Sequence, residues 1–317
     1  MYANLFINLS IQYMFLEQGV ASQNHFSKYL LGSLLIFIAA NIGQIPMMIA
    51  VFYKATKDNE PFPMTTEGLM GFLEPNTSLF FMLLSFAFAL GAVFLVIRLL
   101  HKQAILSVTT SRAKVDWGRI FFSFTIWTSI VVTTTLVDWL LHPTHFILNF
   151  QPVPFFILAL IGFLLIPVQT TTEEYVFRGY LMQGFANLAS NRWFPLLMTS
   201  CIFGLLHLFN PEVNKLGNVI MIYYIGTGLF LGIITLMDEG MELALGFHAA
   251  NNLVGALLVT TNWSVFQTHS ILKDVSEPAV GFQVVLPVFI IYPILLIIFG
   301  RKYNWTNWKQ KLTGIIK

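Results

Sequence analysis

The feature that most constrains this chain is a set of eight long apolar runs separated by polar connections. They are Tyr29–Tyr53, Ser78–Leu100, Ile120–Leu141, Pro154–Thr170, Trp193–Phe209, Leu216–Met237, Met241–Thr261 and Phe282–Gly300. A helix needs about 20 residues to cross a hydrocarbon core of about 30 Å. Most of the runs meet that length; the fourth and fifth are short. Unbroken runs of this kind predict helices, whereas a membrane barrel shows short alternating segments. Charged residues make up only 10% of the 317, and hydrophobic residues 56%. A soluble domain carries roughly 25% charged residues, so this chain cannot cover a water-facing surface of its size. A soluble enzyme, a disordered protein and a coiled coil are excluded. The fold class expected is all-α and polytopic, with about eight transmembrane helices.

The formal net charge is +2 and no basic tract lies away from the ends, which argues against a nucleic-acid partner. The lipid bilayer is the partner the composition requires. The single cysteine, Cys201, allows no intramolecular disulfide and no cysteine-built metal cage. Residues 1–28 read as a short amphipathic or frayed lead-in, without the basic start of a signal peptide. Residues 29–300 read as one membrane domain and 301–317 as a basic tail, whose ending Gly314-Ile315-Ile316-Lys317 is not a prenylation signal. Arg98, Lys102, Arg112, Lys114 and Arg119 fall in the second connection; Arg301, Lys302, Lys309, Lys311 and Lys317 fall in the tail. The first connection sets Lys54 and Lys57 against Asp58, Glu60, Glu67 and Glu74. The positive-inside rule therefore places both termini in the cytoplasm. The tail's cations read as topology markers, and Trp305 and Trp308 as an interfacial anchor.

Ionisable residues inside spans are costly and mark function by default. Glu173, Glu174 and Arg178 sit at the end of the fourth run, His207 in the fifth, His248 in the seventh and Asp138 late in the third. Glu174 and Arg178 are four apart and share a helix face, so they can pair. Glu173 is rotated about 100° from that face and is left to point elsewhere. Phe203 and His207 are one turn apart, with Gly204 between them allowing another helix to come close. His248 and Asn252 stand one above the other, flanked by Gly246 and Gly255. Taken singly, each group also reads as a structural salt bridge or as interhelical hydrogen-bonding glue. Asp138, beside Trp139 and His142, reads as an interfacial structural residue.

Together the three groups form a carboxylate, two imidazoles and a carboxamide from different spans, able to converge in a polar intramembrane cavity. Such a set can activate a water and donate hydrogen bonds to an oxyanion. Glu173, His207 and His248 would also make a Zn²⁺ first shell with an open position. No phosphate loop, dinucleotide fingerprint or Gly-x-Ser-x-Gly is present, so no organic cofactor is expected.

Glu173-Glu174-x-x-x-Arg178, then Phe203-x-x-x-His207, then His248-x-x-x-Asn252, in that order, resembles the CPBP family. These are the CAAX protease and bacteriocin-processing endopeptidases, also called Abi or type II CAAX prenyl endopeptidases. The resemblance covers roughly Pro154 to Thr261 and implies an eight-helix intramembrane peptidase acting on a membrane-anchored protein or peptide. It implies that Glu173 activates the attacking water with help from His207. It further implies that His248 and Asn252 stabilise the oxyanion and that Glu174 and Arg178 form a supporting pair. The family name adds Zn²⁺. Two other readings stay open: a non-enzymatic immunity or scaffold protein of the same fold, and a proton-coupled transporter using the buried acid and histidines. A transporter would more often show two related halves, and none is seen.

The spans as drawn do not bring the three groups to one depth. Glu173 is about 28 Å along its run, His207 about 21 Å and His248 about 10 Å. A tilt, a kink at Pro167, or a helix that continues from Thr171 through Ala189 is needed.

Overall fold

A helix that is apolar on every side must face either protein or lipid, and this chain builds its fold from such helices. The computed structural model describes residues 14–22, 24–278 and 281–316. The chain begins with α1 (Phe15–Ala21), α2 (Phe26–Asp58), α3 (Thr66–Phe72) and α4 (Pro75–Leu95), the last running through a π-helical turn to Leu100. Next come α5 (Ile105–Thr109) and α6 (Trp117–Leu141). Then α7 (Pro152–Glu174), a π-helical stretch (Tyr175–Leu181) and α8 (Met182–Ala189) join into one rod of 38 residues. After it come α9 (Trp193–Leu205), which closes in a 3-10 turn (Leu206–Phe209), and α10 (Pro211–Leu216). The chain ends with α11 (Ile220–Asp238), α12 (Glu242–Leu258), α13 (Phe282–Leu286), α14 (Tyr292–Lys302) and α15 (Trp308–Thr313).

The protein is an all-α polytopic membrane protein. Each of the eight apolar runs falls on a helix. Among the described residues, six helices are long and apolar enough to cross a membrane. The helix Trp193–Phe209 and the 17-residue α12 are shorter. Large side chains such as Phe37 and Phe52 on α2 and Phe156 and Phe163 on α7 point outward, as lipid contact demands. Inside, α6 packs on α12, α2 on α4, α4 on α7, α7 on α12 and α9 on α11. Trp127, Phe230, Phe247 and Tyr292 form the aromatic centre, with ring centroids 4.2 Å apart for Trp127–Phe247 and 4.5 Å for Phe230–Tyr292.

Small residues set two of these crossings. A Cβ on Gly246 would lie 2.1 Å from the Ile120 carbonyl oxygen of α6, and one on Gly204 would lie 2.4 Å from Ile225 Cγ1 of α11. Gly255 sets no such crossing, because a Cβ there meets nothing within 4 Å. Gly246→Ala is therefore expected to lower the melting temperature sharply, whereas Gly255→Ala should be neutral or raise stability by up to about 1 kcal/mol through lost backbone entropy. Thermal unfolding of the two variants in detergent checks the contrast.

At one end of the bundle a small sheet joins the connection between α6 and α7 to the one between α12 and α13, in the order β1 (Phe146–Leu148), β3 (Leu272–Asp274), β2 (Val259–Thr260). Glu74 caps α4 by accepting from the Asn76 and Thr77 amides, and His269 Nε2 lies 2.9 Å from it. Asp138 pairs with His142 at 2.8 Å on the surface, in keeping with the structural reading.

The other end is ionic. Arg112 binds Asp238 at 3.0 Å and Glu242 at 3.1 Å, Arg119 also binds Asp238, and Trp305 Nε1 donates to Asp238 at 3.1 Å. Lys311 donates to the Met237 carbonyl at 2.8 Å. Trp305 and Lys311 were read as an anchor and a topology marker; here they also hold the turn between α11 and α12. The described part of the lead-in is not frayed. Phe15 and Leu16 are fully buried, the Phe15 carbonyl accepts from Gln183 at 3.1 Å, and Glu17 pairs with the buried Arg192 at 3.1 Å. Residues 1–13 of that lead-in lie outside the described residues.

His101 is also buried at this end, 2.8 Å from the Tyr180 hydroxyl. Burial first, and then the nearby Lys28 ammonium, push its pKa down from 6.5 to about 4. The folded state thus binds the proton more weakly than the unfolded state. The stability this neutral imidazole contributes is fully present above pH 6.5 and is lost progressively as pH falls toward 4. His101→Gln should flatten that part of the curve, measured as melting temperature against pH for wild type minus variant.

Candidate active site

The rod formed by α7 and α8 is lipid-facing in its first half and largely buried from Gln169 to Ala186. It does not end at Pro167. Hydroxyls of Thr170 and Thr172 bond back to the carbonyls of Ile166 and Val168, at 3.1 and 2.7 Å. The π-helical stretch begins directly after Glu174, and such widened turns are frequent where a helix carries function.

Glu174 is fully buried, and its Oε1 receives two donors: Arg178 Nη1 at 3.0 Å and His248 Nδ1 at 2.6 Å. The pairing of Glu174 with Arg178 is the one their spacing predicts. Arg178 also donates to the Gly228 carbonyl of α11 at 3.3 Å, and its guanidinium lies 4.4 Å from the Phe203 ring centre. Phe203 thus supplies a cation–π face to Arg178 and contacts the His207 ring, with centroids 4.8 Å apart.

Glu173 points into a different environment. It keeps 15% of its side chain exposed, against none for Glu174, so of the adjacent carboxylates it is the one a small molecule can reach. It is not free, as its helical phase alone suggested. Gln169 Nε2 donates to its Oε1, and its Oε2 lies 3.6 Å from His248 Nε2. His207 Nδ1 lies 2.7 Å from the Phe203 carbonyl, which can only accept, so this nitrogen carries the proton and Nε2 keeps its lone pair. The ring stacks on Tyr224 with centroids 4.4 Å apart. Asn252 Nδ2 donates to Gln169 Oε1 at 3.0 Å.

The depth conflict resolves through the long rod. Glu173 precedes Ala189 by about 24 Å and His207 follows Trp193 by about 21 Å, so the two lie level on either side of the turn at Ser190–Arg192. The third motif meets them directly, through the bond from His248 Nδ1 of α12 to Glu174 of α7. The glutamate pair, Arg178, His248 and Asn252 form one hydrogen-bonded and ion-paired group, with His207 joined to it through Phe203. Gln169 was missed. It is an uncharged amide in an apolar run, so a scan for ionisable groups passes over it, yet it sits one turn before Glu173 on the same face.

A zinc shell of Glu173, His207 and His248 does not fit this arrangement. Among the described residues no three His, Cys, Asp or Glu side chains are grouped to hold one metal ion. The hydrogen bonds of the two rings are not the obstacle, because each spends Nδ1 on an acceptor and keeps Nε2 toward the site; the three side chains are not drawn together around one point.

The fold and site define a class: a polytopic helical membrane protein with a buried carboxylate–imidazole–carboxamide centre. Residues 152–254, which include the helices that build the site, match the family described as Type II CAAX prenyl endopeptidase Rce1-like. The chain is also similar to an uncharacterized protein, YyaK, of Bacillus subtilis (strain 168), with 32% identity over 194 residues. That match covers 61% of this chain and 65% of the relative's length. No solved structure matches the chain.

Removing one partner of a buried pair leaves an uncompensated charge, typically costing about 3–5 kcal/mol. Arg178→Met should therefore destabilise strongly, and the double variant Glu174→Gln/Arg178→Met should recover much of the loss. Melting temperatures of the two variants test this.

Proposed function

We propose that this protein is an intramembrane endopeptidase of the CAAX type that hydrolyses a peptide bond of a membrane-associated protein or peptide, with Glu173 as the general base. One observation carries the reading: of two adjacent carboxylates, Glu174 is fully buried and paired through Oε1 with Arg178 and His248, while Glu173 stays partly accessible beside the His248 ring. Two carboxylates in one environment would do one job; these two are held apart in role.

Glu173 takes a proton from a water, whose oxygen bonds to the scissile carbonyl carbon as the carbonyl electron pair moves onto its oxygen. The lone pair on His207 Nε2 gives that water a second acceptor. The oxyanion is received by the remaining N–H of Asn252 and by His248 Nε2, which donates when the ring is an imidazolium. Two carboxylates, Arg178 and that imidazolium then sum to zero charge, which a low-dielectric interior favours. Collapse of the oxyanion breaks the C–N bond, and Glu173 passes its proton to the leaving amine. Arg112, Arg119, Arg192 and Lys311 gather at the end that holds α1 and α15, which supports placing both termini in the cytoplasm.

The test is cleavage of a library of membrane-anchored reporter peptides by purified wild type and Glu173→Ala in detergent. The variant should lose about 10²- to 10⁴-fold in rate with its melting temperature unchanged, and wild-type cleavage should persist in a metal chelator. Equal rates in the two proteins would remove Glu173 from the chemistry. Chelator-sensitive cleavage restored by zinc would overturn the metal-free route.

A further inference from the structure

We propose that Trp127, Asn251 and Gln169 are positioning residues: they form a one-directional hydrogen-bond relay that sets the base Glu173 and the oxyanion donor Asn252 relative to each other. The proposal rests on the peptidase reading for its catalytic consequence, but the relay itself is a matter of geometry.

The relay starts on α6, outside the three motifs. Trp127 Nε1 donates to Asn251 Oδ1 at 3.1 Å, where the Tyr223 hydroxyl also reaches at 3.5 Å. Asn251 Nδ2 donates to Asn252 Oδ1 at 3.0 Å. Asn252 Nδ2 donates to Gln169 Oε1 at 3.0 Å, and Gln169 Nε2 donates to Glu173 Oε1. Three amides in a row would ordinarily leave their oxygen and nitrogen ends interchangeable. Here both ends of the chain are fixed. An indole N–H can only donate, and an ionised carboxylate can only accept. Flipping any one amide would put two donors together on one side of it and two acceptors on the other. Trp127 and Gln169 are nearly fully buried, so a mismatch at either end of the relay would leave a desolvated polar group unpaired.

Two consequences follow for the site. Asn252 has its N–H₂ end turned toward Gln169, with one N–H spent there and the other left for an oxyanion. Glu173 has Oε1 held by Gln169, leaving Oε2 beside His248. Because Gln169 touches both Glu173 and Asn252, a single side chain fixes the spacing between base and oxyanion donor. A chain of aligned hydrogen bonds also polarises cooperatively, so its effect at Glu173 extends back to an indole four hydrogen bonds away.

Two readouts test this on the full-length protein in lipid nanodiscs. The first is independent of activity: the indole N–H resonance of Trp127, assigned by its loss in Trp127→Phe. Gln169→Leu should move that resonance upfield although the two side chains are not in contact, and the isosteric Gln169→Glu, which cannot donate when ionised, should move it too. Cys201→Ser, on the exposed face of α9, should leave it in place. An indole resonance unmoved in both Gln169 variants, with the rest of the spectrum native, overturns the relay. The second readout is kinetic. Gln169→Leu should lower kcat about 10- to 100-fold, as removal of an orienting partner does, with KM unchanged. Trp127→Phe/Gln169→Leu should be no slower than Gln169→Leu alone, because members of one chain do not add. Additive losses would overturn the relay as a unit. If the indole responds as expected but no peptide is cut by the wild type, the relay stands and the peptidase reading falls.

Discussion

The site depends on one buried carboxylate being made tolerable. Glu174 lies where water does not reach, and an ion there needs close partners. Arg178 from the same helix and His248 from α12 supply them, and both bind the same oxygen. This fixes more than charge. It locks α7 to α12, orients the His248 ring so that its other nitrogen faces Glu173, and brings Arg178 against Phe203 and the Gly228 carbonyl, tying in α9 and α11. Four helices thereby share one electrostatic knot. The neighbouring Glu173, one residue away and rotated about 100° around the helix, keeps part of its side chain exposed while Glu174 keeps none.

Much of this is legible in the sequence because helical phase is rigid. The four-residue spacing of Glu174 and Arg178 dictates their pairing, and the placement of His248 and Asn252 on one face follows from the same geometry. The depth of the site is not legible, because apolar patterning reports where a helix faces and not where it begins relative to others. Only the structure shows that residues 152–189 form one rod and that α12 starts at a buried Glu242. The isolation of Glu173 is also misjudged from sequence: its partner Gln169 carries no charge and so raises no signal. Asn251 stands inside a recognised motif but without a role, and Trp127 lies on a helix that no motif marks.

The ionic end shows the same limit in another form. Lysines and arginines at membrane-proximal positions read as orientation signals, and nothing local marks which of them also hold structure. Arg112, Arg119, Trp305 and Lys311 come from distant parts of the chain and meet at the short turn from Asp238 to Glu242. That turn sets where α12 begins, and hence the height at which His248 meets Glu174. A cluster far from the site in sequence is a mechanical support for it.

The shortness of the helix Trp193–Phe209 has a consequence for the surrounding lipid. One side of it, with Trp193, Leu197, Leu205 and Phe209, faces outward, yet its 17 residues span only about 25 Å, less than the hydrocarbon thickness of about 30 Å. Beside the taller rod that carries Glu173, the bilayer has to pinch or expose headgroups to apolar side chains. Pinching is the cheaper of the two, at fractions of a kcal/mol per Å. The membrane itself then dips at the flank bearing His207, and less hydrocarbon separates the polar centre from the lipid surface on that side.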